Sequence, residues 1–170
     1  MASIFVPICG PVVADTVYSD GTLVARDVAI TLPEVTPQTA DVSAMGTMSL
    51  PIWQLLENME ASITKIGVDE GLGKLLMADI KPIEVRWVQT VTDANGVTKN
   101  VGCKAFIRGT PNKIPGVGLE LAAASENEVI LMVTRYALYA DGEEICLIDR
   151  LAGIVRIMGK DYAQDLTTML

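Results

Sequence analysis

Hydrophobic and polar positions alternate along much of this chain with the two-residue period of strands. The pattern fails most tellingly in "RYALYADGEEICLIDRLAGIVRIMG", residues 135 to 159. Two long strands fold back there at Asp141-Gly142, a dipeptide suited to a tight turn. A two-residue turn pairs Leu138 with Ile145 and Tyr136 with Leu147 on one face. The other face pairs Ala137 with Cys146 and Arg135 with Ile148, and Val133 and Leu131 follow on it. Both faces are mostly apolar, so one needs a cover that an ordinary half-solvated hairpin does without. Two covers are open: another sheet or helix of the same chain, or a partner subunit.

Upstream, "VVADTVYSDGTLVARDVAITLPEV" predicts a strand, a turn at Asp20-Gly21 and a longer strand running through Leu32. Residues 1–14 form an apolar N-terminal arm before it. Pro33 and Pro37 stop regular pairing. Residues 34–50, rich in Thr, Ser, Met and Gly, show no period and predict a long extended loop, a feature that usually acts outside its own domain. Met59, Ala61 and Ile63 then alternate with Glu60, Ser62 and Thr64 as a half-buried strand. Asp69 is placed to cap a short helix with Leu72, Leu75 and Leu76 on one face.

The middle hairpin constrains its own register. Ile83, Val85 and Trp87 share one face, and Cys103, Ala105 and Ile107 share one on the next strand. A two-residue Asn95-Gly96 turn sets these faces on opposite sides. A three-residue loop, Ala94-Asn95-Gly96, pairs Trp87 with Cys103 and Val85 with Ala105. The buried pattern selects the second, with Gly96 left-handed and Glu84, Arg86, Lys104 and Arg108 facing water. Residues 109–118 are a loop by composition, and 159–170 a short amphipathic helix or an extended tail. The chain reads as a single domain, 1–170, mainly β: an antiparallel β barrel or sandwich with one short helix and a long extended loop.

Composition narrows the function. The chain has 170 residues, half of them hydrophobic, with a net charge of −8 and a mean hydropathy of +0.37. Pro, Gly or charge interrupts every apolar run before it reaches membrane-spanning length. The start, "MASIFVPICGPVVAD", has no basic region and is broken by Pro7 and Pro11, so it does not read as a secretory signal, and synthesis in the cytoplasm is expected. An acidic chain without a basic run gains nothing from counterion release on DNA, which argues against a gripping nucleic-acid binder.

Catalytic constellations fail one by one. The chain contains no histidine, which removes the commonest general base and metal ligand together. Cys9, Cys103 and Cys146 are odd in number and far apart, so neither a disulfide framework nor a zinc site follows. "VDEGLGKLL" resembles a phosphate loop only superficially: Val68 stands where its first glycine belongs and Leu75 where its magnesium-binding hydroxyl belongs. Glu143 and Glu144 are neighbours on a strand and point to opposite faces, as do Glu57 and Glu60 three apart; the first two read as solvated turn charges. No catalytic residue, cofactor or metal site is expected, and the chain does not read as an enzyme.

Three segments carry a resemblance: "VAITLPEVTPQTADVSAMG", "MEASITKIG" and "YALYADGEEICLIDRLAGIVRIMG". Thr31-Leu32-Pro33 before a long loop, Met59-Glu60, the Tyr136-to-Gly142 hairpin and Ile148-Asp149 occur in the order and approximate spacing of the major tail tube protein of contractile-tailed bacteriophages and R-type tailocins. The chain departs from that family at Asp149-Arg150, where Asp-Pro is frequent, and in its apolar N-terminal arm. The resemblance implies a structural protein whose hexameric rings stack into a hollow inner tube that conducts DNA or pierces a target envelope. It implies as partners further copies of the chain, a sheath protein, baseplate and tail-terminator proteins, and DNA only as transiting cargo. The place implied is a virion or tailocin particle made in a bacterial host's cytoplasm.

On that resemblance residues 34–50 become the contact between rings. Val35, Val42, Met45, Met48, Leu131 and Val133 are the expected inter-subunit contacts. Glu60, Ser62 and Thr64 are the expected lumen-facing residues, with an ordinary solvated outer face as the alternative. The alternative function is a small β-barrel adaptor or binding module of a virion or secretion apparatus that does not polymerise.

Overall fold

Asp20 and Gly21 both adopt positive φ, 51° and 74°, and join strand β1 (Ile8–Ser19) to β2 (Thr22–Arg26). In this computed structural model, which describes residues 7–170, the strand expected to run on through Leu32 breaks at Asp27, where φ is 51°. The break makes a corner. β2 stays with β1, while β3 (Ala29–Thr31) crosses to pair with β6 (Glu60–Ile66). Asp15 holds the corner from both its groups: its carboxylate accepts the Val28 amide at 3.0 Å and its carbonyl accepts the Asp27 amide at 3.2 Å.

The organising strand is β9 (Glu126–Ala140). Along one edge it pairs with β8 (Thr98–Pro111), which continues through β7 (Ile83–Thr92) to β1. Its other edge is shared: β6 takes Glu126–Met132, and β10 (Glu143–Asp149) takes Arg135–Ala140. β11 (Ile154–Ile157) and β12 (Lys160–Asp161) extend the sheet beyond β10. The sheet therefore branches at β9 and wraps over itself, and the β2–β3 corner, not a continuous ladder, links its β2 end to the β3–β6 branch. Of the two expected architectures the result is the sandwich-like one, not a closed barrel.

Inside the wrap Ile83, Val85, Ala105, Ile107, Ala61 and Ile63 are almost completely buried, each large aliphatic among them contributing about 1.5–3 kcal/mol. Helix α1 (Glu70–Leu75) caps this core with Leu72 and Leu75, and Asp69 accepts the Leu72 amide at 3.1 Å as its N-cap. The middle hairpin has the predicted register, with Trp87 opposite Cys103 and Val85 opposite Ala105. Its loop turns through Gly96 at φ 76°.

Elsewhere the structure corrects the sequence. Residues 8–14 of the expected arm are the first half of β1, paired with β7; residues 1–6 lie outside the described ones. The expected loop 34–50 is instead most of a β-hairpin, β4 (Pro37–Ser43) and β5 (Thr47–Leu56), which forms a separate two-stranded sheet. It shows no period because most of its positions on both faces are exposed. The tail forms a second short helix, α2 (Gln164–Met169).

Two bulges explain the remaining errors. Between Glu144 and Cys146 the last hairpin slips by one residue, so Cys146 faces Leu138 and Ile148 faces Tyr136. The slip carries Ile148 into the core and sets Asp149 opposite Arg135, where unslipped pairing would bury Ile148 against an arginine. A second irregularity lets Gly109 face Val133 while Arg108 faces Arg135, leaving Thr134 extra on β9. That residue reverses the strand's inward face. Leu131 and Val133 consequently point into the protomer core, 0% and 4% exposed.

Candidate functional site

Among the described residues no group of three or more His, Cys, Asp and Glu side chains is placed to hold a metal ion. Burial pushes the Cys103 and Cys146 thiols above their ordinary range, the opposite of what a nucleophilic cysteine needs. Burial likewise raises the Tyr136 phenol. Glu144 is not a solvated turn charge as expected. Arg156 donates to both its oxygens at 2.6 and 3.1 Å, and the Tyr139 hydroxyl lies 3.4 Å away. The Arg156 hydrogen bonds hold the carboxyl below the usual range, against a smaller opposing effect of burial. The group clamps β9, β10 and β11 together. Glu143, its neighbour, is exposed.

The hairpin β4–β5 is the feature without a purpose inside the protomer. At its base Leu56 is buried and Trp53 packs on Tyr162 with ring centroids 5.9 Å apart. There Gln54 donates to the Tyr162 carbonyl at 3.0 Å, and Arg150 donates to the Leu56 carbonyl at 3.1 Å. Beyond the base the ribbon stands alone. Its turn residues Met45 and Gly46 both have positive φ, and the Met45 side chain is completely exposed. Val42, Met48 and Leu50 are exposed beside it. A solitary two-stranded ribbon is marginal in water, and one that displays methionines and aliphatics is suited to receive a partner surface.

The expected contact residues therefore divide. Val42, Met45 and Met48 lie on this projecting ribbon. Val35 packs at its root against the core, and Leu131 and Val133 are internal. Glu60, Ser62 and Thr64 do share the outward face of β6, opposite Met132, Ile130 and Glu128 of β9.

On the second apolar face of the last hairpin, Ala137 and Leu147 are buried, 3% and 6% exposed. The two sit opposite one another, flanked in the ladder by Phe106 and Arg156. Phe106 meets Tyr139 edge-on, with centroids 5.8 Å apart and planes at 88°.

A further apolar segment escaped the sequence reading. The connection from β8 to β9, residues 112–125, has no regular structure, and Ile114, Leu119 and Leu121 on it are strongly exposed. The available signal was three large aliphatics inside a stretch of loop composition.

Comparison with known proteins adds what geometry alone lacks. The model of the family described as phage tail tube protein FII matches residues 13–170. No curated protein matches the chain. Among solved structures, a chain of the PVC sheath–tube complex, an extracellular contractile injection system in its extended state, superposes with a TM-score of 0.52 at 14% identity. The match covers 76% of this chain and 90% of that one. A chain of the PVC sheath/tube terminator, also in the extended state, gives 0.51 at 14% identity, over 81% and 99%. At such identity these two establish a shared fold.

Proposed function

The chain belongs to the phage tail tube protein FII family and is a structural tail tube protein, and on that premise we propose that its copies close into hexameric rings that stack into the hollow inner tube of a contractile particle. The observation that carries this is the free-standing β4–β5 hairpin, whose apolar ribbon is left uncovered by its own protomer. Ring stacking covers it. A surrounding sheath and a tube terminator are the partners that the two similar structures suggest, and a baseplate is the expected base of the tube. The chain performs no catalysis in this role.

The outward face of β6 is proposed to line the bore. Glu60 and Glu128 lie on that face with the small polar Ser62 and Thr64 between them, and a chain of net charge −8 repels passing DNA from the wall, so cargo slides without adhering.

Negative-stain electron microscopy of the purified protein tests the assembly. Rings and tubes of uniform bore are expected from the wild type. Met45→Asp combined with Met48→Asp should leave a folded protein that does not grow tubes, because it buries unpaired charge at the contact. Normal tube growth by that variant would remove the hairpin from the interface, and a wild type that stays monomeric at high concentration would overturn the proposal.

A further inference from the structure

The hairpin returns to the fold at the N-terminal end of β6, whereas the 112–125 connection, having left β8 at Pro111 opposite Leu131, returns at the C-terminal end of that strand. β3 runs antiparallel to β6, with Ala29 opposite Thr64 and Thr31 opposite Ser62, so the chain departs toward the N-terminal end of β6 to build the hairpin. β9 is also antiparallel to β6, with Glu126 opposite Ile66, and the Gly67 amide donates to the Ser125 carbonyl at 2.8 Å. The 112–125 connection therefore ends at the C-terminal end of β6. Leu119 and Ala123 line one surface depression there together with Glu126. Six steps of strand, about 20 Å, separate the two ends.

We propose that the β4–β5 hairpin of one copy docks on the 112–125 connection of the copy stacked next to it, Met45 and Met48 packing against Ile114, Leu119 and Leu121. This rests on the stacked-tube reading and supplies the missing half of its contact. Two unlike surfaces make a heterologous contact, and where successive copies are translated along the tube axis such a contact does not close and builds a filament.

The chemistry of the two segments agrees with this. From Gln38 to Leu56 the hairpin carries one charge, Asp41, and residues 114–125 carry one, Glu120. Little charge has to be desolvated, and those two acids stay at the rim. Lys113, at the start of the connection, has no ion pair among the described residues and can meet Asp41 of the neighbour there.

The test places the photo-crosslinking residue p-benzoylphenylalanine at position 45 and assembles tubes from an equal mixture of 15N-labelled and unlabelled protein. After irradiation and trypsin digestion, mass spectrometry should find position 45 joined to the peptide Ile114–Arg135 through its first residues, with mixed labels proving that two copies are joined. Tubes whose cross-links run to any other segment, or that give none, overturn the contact while leaving the stacked tube standing. Wild-type protein that makes no tubes sinks both. Independently, Leu119→Asp with Leu121→Asp should abolish tube growth and leave the melting curve unchanged, since both side chains are almost fully exposed (88% and 98%); tubes of normal length from this variant also overturn the contact.

Discussion

The Asp15 carboxylate accepts the backbone amide of Val28 at 3.0 Å, thirteen residues along the chain, and so fixes the angle at which β2 gives way to β3. It shares that task with the bond from the Asp27 amide to the Asp15 carbonyl, at 3.2 Å. Asp15→Ala should cost about 1.5–3 kcal/mol, the range for a hydrogen bond to a charged acceptor. A urea titration of the dispersed protein measures it, and Asp15→Asn should recover part of the loss. An Asp15→Ala curve that overlays the wild type would show that the Asp27 backbone bond alone holds the corner.

Two glycines in β8 make a matched pair for the bulge. A Cβ added to Gly109 would stand 2.6 Å from the Met132 carbonyl oxygen, whereas one added to Gly102 meets nothing within 4 Å. Gly109→Ala should therefore force β8 and β9 apart at a cost of about 1–3 kcal/mol, typical of overpacking. Gly102→Ala should be near neutral. Equal melting temperatures for the two variants would mean that the strands separate there freely and that Thr134 is not held extra by close approach.

The loop of the middle hairpin turns on Gly96, whose φ of 76° suits no β-branched residue. Gly96→Val should cost about 1–2 kcal/mol, the penalty for a left-handed backbone in an L-residue. Differential scanning calorimetry reads this as a lowered melting temperature, and no change would argue that the loop accommodates another turn.

What the sequence disclosed follows from which faces are buried. Ile83, Val85 and Trp87 had to share a side with Cys103, Ala105 and Ile107, and only one loop length allows it, so the register was legible before any coordinates. The hairpin from Pro37 to Leu56 was not legible, because a ribbon exposed on both faces has no hydrophobic period to display. Leu131 and Val133 were misplaced for a different reason. One unpaired residue, Thr134, inverts the alternation of β9, and no local propensity marks the site beyond the glycine across from it. Phase errors of this kind pass along a strand to every residue beyond them, which is why two of the six expected contacts are core residues. Met45 and Met48 are exposed, as a contact surface requires, although their segment is a hairpin and not the expected extended loop, since exposure needs only a lack of burial.

The Glu144–Arg156 clamp gives the chain an acid limit. A carboxyl held below its ordinary range stabilises the folded state wherever it is ionised. The contribution is complete above the unfolded value of about 4.3. It declines as the pH falls through that value and is gone once the pH drops below the folded one. Melting temperatures of wild type and Glu144→Gln should differ by a constant amount from pH 7 down to about 5 and converge below that. The variant loses the charge while keeping the shape and the Arg156 partner, so packing changes little. A gap that persists at the acid end would show that the side chain works through its packing against Tyr139 and not through its charge. Convergence would place the clamp among the carboxylates whose protonation loosens the β10–β11 edge of the sheet.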